Sequence, residues 1–167
     1  MDKIPGRKNI RLQNYDYSQA GFYFVTICTK DRQKLLSKIV GGGFHATPNT
    51  ELTLIGKEIV KTIDFIDNQY SDVFIDKYII MPNHIHLIII LQGSQLGGHG
   101  NPPLHKIVGQ LKSYTNIKYN DINKTKNLIL WQRNYYDHII RNEKEYQEIW
   151  KYIETNPLKW EEDKYYI

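Results

Sequence analysis

Two histidines stand two residues apart in Met81-Pro82-Asn83-His84-Ile85-His86-Leu87-Ile88-Ile89-Ile90. A short, isoleucine-rich run of this kind predicts a β-strand. Side chains alternate faces along a strand, so both imidazoles point the same way. Two imidazoles on one rigid strand can hold a divalent cation with little reorganisation. The same pattern also suits two histidines that are each satisfied by an ordinary hydrogen bond, and His-x-His alone does not choose between the two. Far downstream, Tyr152 and Asn156 are four residues apart on a predicted helix, one turn from each other on one face. Beside the buried stripe of that helix the pair could face a site next to the sheet, and a tyrosine can pack, stack on a base or act as a nucleophile. On spacing alone, the plainer reading is a boundary tyrosine and an asparagine near a helix C-terminus.

The elements that must carry these residues can be read in order. Gly21 to Thr29 is aromatic and β-branched throughout, a strand. Residues 41–50, with three consecutive glycines and Pro48, read as loop. Ile55, Ile59, Ile63 and Ile66 recur at helical spacing and predict a helix from Leu54 to Tyr70. Val73 to Met81 is a second strand, joined to the histidine strand by a link too short for anything but an antiparallel hairpin. A second Gly- and Pro-rich loop spans residues 92–103. His99 and His105, near it, have no expected metal role. A helix follows from Leu104 to about Tyr119, with Ile107, Leu111, Tyr114 and Lys118 on its period and Lys106, Lys112 and Lys118 on a basic side. Tyr135 to Ile140 predicts a strand. Asn142 with Glu145 three residues on predicts the start of a last helix, whose stripe is Tyr146, Ile149, Trp150 and Ile153. That helix should end before Pro157, because the residue preceding proline is pushed from helical angles. Strand, helix, strand, strand, helix, strand is the βαββαβ order of an α+β, ferredoxin-like antiparallel sheet with helices on one face, here followed by a C-terminal helix. Residues 1–167 read as one domain without repeats.

Composition narrows the class only moderately. The chain has 167 residues, 22 Lys and Arg against 18 acids, and a formal charge of +4. That balance is compatible with a polyanionic partner without identifying one. The lone Cys28 lies in an apolar run and reads as a small core residue, which suits a reducing compartment. No run is long and apolar enough for a bilayer, and the polar start lacks the core of a signal peptide. Lys3, Arg7, Lys8 and Arg11 make a basic arm or a frayed terminus.

The chain resembles the HUH-type single-tyrosine transposases, and most closely the REP-associated tyrosine transposases. The likeness rests on several pieces in order: the opening Arg-Lys-Asn-Ile-Arg-Leu with Tyr15 and Tyr17, the strand from Phe22 to Thr26, Pro82-Asn83-His84-Ile85-His86, Val108 to Tyr114, Trp131-Gln132-Arg133, His138 to Asn142, and finally Tyr152-Ile153 with Asn156-Pro157. The resemblance implies that His84, His86 and Asn156 ligate a divalent metal, Mg²⁺ or Mn²⁺, and that Tyr152 is the nucleophile. It implies cleavage of single-stranded DNA near hairpins through a 5′-phosphotyrosine, in a bacterial cytoplasm next to chromosomal DNA. Arg7, Lys8, Arg11, Lys112, Trp131 and Arg133 are candidate DNA contacts, with Trp131 and Tyr135 able to stack on unpaired bases. Core packing is the alternative use of those aromatics.

Tyr114, Tyr119, Tyr135 and Tyr136 are rival nucleophiles by chemistry. His138 is either a third ligand or a satisfied core histidine. A non-catalytic, single-strand-binding ferredoxin-like module is the competing function. A domesticated transposase acting on chromosomal repeats is indistinguishable in sequence from a mobile one. The oligomeric state is equally illegible, a homodimer being one option.

Overall fold

The computed structural model describes residues 16, 19–41, 49–93 and 102–166. Its main sheet contains β1 (Gly21–Cys28), β4 (Val73–Ile80), β5 (His84–Leu91) and β6 (Tyr136–Ile140), in the order β4-β5-β1-β6 and antiparallel throughout. That is the ferredoxin-like order expected from the sequence. A separate ribbon pairs β2 (Ser37–Val40) with β3 (Asn49–Leu52). Three α-helices follow the expected bounds closely: α1 (Leu54–Gln69), α2 (Leu104–Ile122) and α3 (Glu143–Thr155). The two Gly-rich stretches fall largely, and the basic arm with Arg7, Lys8 and Arg11 entirely, outside the described residues.

β5 and β1 form the centre, and both are apolar on both faces. One face, with Tyr23, Val25, Ile27, Ile85, Leu87 and Ile89, packs against the isoleucine stripe of α1 and against Leu104, Ile107, Val108 and Leu111 of α2. The other face carries Phe24, Ile88 and Ile140 and is covered by Ile153 of α3, with Tyr146, Ile149 and Trp150 around it. The C-terminal helix therefore lies across the sheet from α1 and α2. Strand alternation places His84 and His86 on this α3 face, paired with Cys28 and Thr26 of β1.

The caps explain where helices begin. Thr53 Oγ1 accepts from the Gly56 N–H at the start of α1. Asn142 Oδ1 accepts from the Glu145 N–H at the start of α3, 2.9 Å away. The Glu145 carboxylate reaches back to the Arg141 N–H and to His138 Nε2, so the reciprocal bond of a capping box falls one residue early. This makes His138 a satisfied histidine that ties β6 to α3. At the other end α3 stops at Thr155, but not by the expected route. Asn156 keeps helical angles (φ −57°, ψ −41°) and begins a 3-10 segment, Asn156–Glu162, with Pro157 in its first turn. Proline is tolerated at the first turn of such a segment, where its missing N–H would have no partner.

Packing bears on three expectations for individual residues. Trp131 is 4% exposed, and its indole N–H donates to Thr115 Oγ1 on α2 at 2.8 Å, so it anchors the core and has no free face for a base. Lys112 Nζ donates to the Gln132 and Arg133 carbonyls, holding the segment before β6 against α2 and engaging its ammonium within the fold. Tyr114, expected on the buried period of α2, is 41% exposed and rests on Phe65 of α1. Arg133 is exposed, and Tyr135 is partly buried against the α1/α2 core.

Gly56 sits in the first turns of α1, where an added Cβ would overlap the Leu36 carbonyl oxygen. Gly56→Ala should therefore destabilise the protein by about 1–3 kcal/mol, although alanine is the better helix former. Urea unfolding measures this, and a stabilised variant would show that the ribbon can move aside.

Candidate active site

The hairpin between β4 and β5 does more than turn the chain. Asn83 is fully buried, and its Nδ2 donates to the Tyr165 carbonyl at 2.8 Å and to the Arg32 carbonyl at 3.3 Å. Those bonds fix the amide, so Oδ1 is the acceptor that faces His84 Nδ1 at 2.8 Å. His84 therefore carries its proton on Nδ1 and presents a lone pair on Nε2. His86 Nδ1 lies 2.8 Å from Thr26 Oγ1 on the neighbouring strand. The two Nε2 atoms are 3.0 Å apart.

Both rings are fully buried. Burial pushes the His84 pKa down to about 4, and it holds His86 well below the usual histidine range, with His84 and Lys164 adding to the effect. Both imidazoles are thus neutral at pH 7, the state in which they can ligate.

Ile153, wholly buried, seats α3 on the sheet, and Tyr152 beside it reaches the histidines. Its hydroxyl is 3.3 Å from His86 Nε2 and 3.4 Å from Asp163 Oδ2, and its ring packs edge-on to Phe24. Burial and the Asp163 charge raise the Tyr152 pKa well above the usual phenol value, so the group is protonated as it stands. Its ring is 37% exposed, at the rim of an open cavity of about 310 Å³ that Asn156, Lys159, Asp163 and Lys164 also line. One turn on, Asn156 is 2% exposed and donates from Nδ2 to Asp163 Oδ2 at 2.8 Å. Its Oδ1 is buried without a hydrogen-bond partner. Such an atom is costly unless something else fills its lone pairs.

The structure therefore brings together His84 and His86 of a central strand with Tyr152 of α3 and Asn156 at the end of that helix, far apart in the chain. It adds residues that sequence reasoning passed over. Asp163 follows the 3-10 segment, with its Oδ1 accepting from the Tyr165 N–H at 2.7 Å. Tyr165 lies over His84, ring centroids 4.6 Å apart, and Trp160 flanks the same ring at 6.0 Å. The run Glu161-Glu162-Asp163-Lys164 reads in sequence as a solvated end, and no spacing signal links it to the histidines. Tyr136 lies on the α3 face opposite Thr26 but is exposed.

The donor set suits a divalent cation on its own chemistry. Two ligands at right angles around a six-coordinate ion at about 2.1 Å stand about 3 Å apart, which is the separation of the two Nε2 atoms. With Thr26 accepting the His86 Nδ1 proton, two buried lone pairs would face one another, an arrangement that a cation relieves. The Asn156 oxygen, buried without a hydrogen-bond partner, is a neutral oxygen of the type that such an ion accepts.

Comparison with known proteins gives a consistent picture. Residues 18–156 match the model of a family described as Transposase IS200 like. The chain is 35% identical to an uncharacterised protein of Haemophilus influenzae over 178 aligned positions, covering 98% of this chain and 95% of that one. Its fold is similar to that of a REP-associated tyrosine transposase solved bound to a REP hairpin, with a TM-score of 0.61 and 20% identity over 90% of this chain and 73% of the other. It is also similar to a crystal structure of a candidate transposase from Deinococcus radiodurans R1, with a TM-score of 0.50 and 16% identity over 87% of this chain and 95% of that one.

Proposed function

The chain belongs to the IS200-like transposase family, and from that premise we propose that it cuts and rejoins single-stranded DNA beside hairpins through a covalent 5′-phosphotyrosine on Tyr152. The observation that carries this reading is the tyrosine hydroxyl 3.3 Å from a buried, neutral histidine pair whose Nε2 atoms converge. His84, His86 and Asn156 would hold Mg²⁺ or Mn²⁺. When bound, such an ion offsets charge growing on the phosphoryl oxygens and aligns the phosphate for attack.

The remaining chemistry belongs to the chain. The Tyr152 oxygen attacks phosphorus as its proton leaves, the P–O3′ bond breaks, and the departing 3′-oxygen takes up a proton. The phosphodiester energy is kept in the tyrosyl ester, so a second 3′-hydroxyl can reverse the step and join a different strand. A nuclease using water would lose that option. Asn83 holds His84 in one tautomer and Ile153 holds Tyr152 at the sheet, so the nucleophile arrives already oriented. Arg32 and Lys164 lie over the Tyr165 ring, 5.5 and 5.0 Å from its centre, and that ring packs on His84, so two cations border the site and could attract a phosphate.

The partner is proposed to be DNA whose hairpin leaves an unpaired flank, in keeping with the REP hairpin bound by the structural relative. Residues 1–167 would act as a single domain, and among the described residues no helix is long and apolar enough to cross a membrane. The test is incubation with end-labelled hairpin single strands, with and without Mn²⁺, followed by denaturing electrophoresis. A metal-dependent protein–DNA adduct is expected. Binding without any adduct under all metals would leave a single-strand-binding module as the function.

Hairpin binding should also weaken as salt rises, because lysine and arginine contacts release counterions from phosphates. Deleting residues 1–12, which removes Arg7, Lys8 and Arg11, should narrow the difference in affinity between hairpins that differ next to the stem. Competition binding measures both, and equal discrimination by the truncated protein would remove the arm from recognition.

A further inference from the structure

We propose that Asp163 supplies the anionic ligand of the metal site, so that the segment after Pro157 completes a centre whose other donors come from β5 and α3. The inference deepens the functional reading above and rests on it. The match to the family model ends at Asn156, and Asp163 lies seven residues beyond. The carboxylate nevertheless reaches the histidines: ligand atoms of His84, His86 and Asp163 all lie within 4.8 Å of one another.

Three further contacts aim that carboxylate. Asn156 Nδ2 donates to its Oδ2 and the Tyr165 N–H to its Oδ1, which restricts rotation of the group. Asn83 Nδ2 holds the Tyr165 carbonyl, so the amide that orients His84 also ties down the segment carrying Asp163. Tyr165 and Trp160 pack on the His84 ring and close the site from that side. Asn156 then has two roles: its N–H₂ positions the carboxylate, and its orphaned Oδ1 is left for the cation.

Charge makes the case chemically. Two imidazoles and an amide oxygen form a neutral, nitrogen-rich set, which by ligand type favours Zn²⁺ or Ni²⁺. Adding a carboxylate supplies negative charge and a hard oxygen, and so shifts the site toward Mg²⁺ and Mn²⁺. Arg32 and Lys164 lie over Tyr165, which packs on His84, so two cations that act against a dication border the site and the Asp163 carboxylate offsets them.

The experiment is titration calorimetry of the full chain with Mn²⁺ and with Ni²⁺, without DNA, for wild type, Asp163→Asn, Asp163→Glu and His84→Ala. Asp163→Asn should lose at least about tenfold in Mn²⁺ affinity and clearly less in Ni²⁺ affinity, while Asp163→Glu, which keeps the charge, should stay closer to wild type for Mn²⁺. A general loosening of the C-terminal segment would lower both affinities alike and leave the metal preference unchanged, and that result would overturn the proposal. So would wild-type Mn²⁺ affinity in Asp163→Asn, whether DNA cleavage is then lost, which would make the carboxylate a proton acceptor for Tyr152, or accelerated, which would make it a block. His84→Ala separates the two levels of the argument. If it binds Mn²⁺ like wild type, the metal site itself fails. If it does not bind and Asp163→Asn does, only the role of Asp163 fails.

Discussion

Tyr152→Phe should form no covalent adduct with hairpin single-stranded DNA while still folding, binding metal and binding the hairpin. The substitution removes one oxygen and keeps the ring that packs edge-on to Phe24 and 5.2 Å from His86. The contacts of the lost hydroxyl to His86 and Asp163 are long, 3.3 Å and 3.4 Å. A net hydrogen bond is worth about 0.5–1.5 kcal/mol, and contacts this long belong at or below the lower end. Stability should therefore barely change, whereas adduct formation should vanish, because phenylalanine offers no nucleophile. Tyr114→Phe, Tyr135→Phe and Tyr136→Phe are the controls, and each should form adduct. Tyr136 is the most informative of them, since it shares the sheet face with the histidines. Mass spectrometry of the trapped wild-type adduct should find DNA on the peptide containing Tyr152. An adduct that survives in Tyr152→Phe would refute the assignment. Nicking without an adduct in that variant would make water the nucleophile and the protein a metal-dependent nuclease.

The second large effect is expected at the histidines. His84→Ala and His86→Ala should each abolish adduct formation and the Mn²⁺-induced rise in melting temperature that a ligand specific to the folded state produces. Hairpin binding should largely persist, because it depends on phosphate contacts distributed elsewhere. Some loss of metal-free stability is expected with His86→Ala, whose ring packs on Phe24 at 5.2 Å between centroids. Hairpin affinity measured alongside therefore distinguishes a folded, inactive variant from an unfolded one. Adduct formation at the wild-type rate by either variant, with Mn²⁺ present, would remove that histidine from the metal site.

Local chemistry made much of this legible. The isoleucine stripe of α1, the Asn142 and Glu145 pair before α3, and the apolar run after His84 are short-range patterns, and each gave an element within a residue or two of its observed bounds. Their order was enough for the ferredoxin-like sheet, because a link as short as Met81 to Asn83 admits only a hairpin and the longer links carry helices. The β2–β3 ribbon was missed. Its strands are four residues each and straddle a glycine-rich stretch, so they carry no alternation long enough to stand out. The proline rule correctly located the end of α3 yet failed for Asn156, since a preference against helical angles yields where the side chain is held by a bond to Asp163.

By itself the sequence determined which side chains shared a face: His84 with His86 through the two-residue period of a strand, and Tyr152 with Asn156 through the turn of a helix. Only the tertiary structure decided which faces met. α3 could have covered either side of the sheet, and its seating on Phe24, Ile88 and Ile140 is what brings the phenol to the imidazoles. The same holds for Trp131, consumed by the core through Thr115, and for Asp163, whose charged surroundings in sequence suggest solvent. Periodicity is set by backbone geometry over a few residues, so it can be read locally. Contacts across tens of residues are set by how whole faces pack, and no short-range pattern records them.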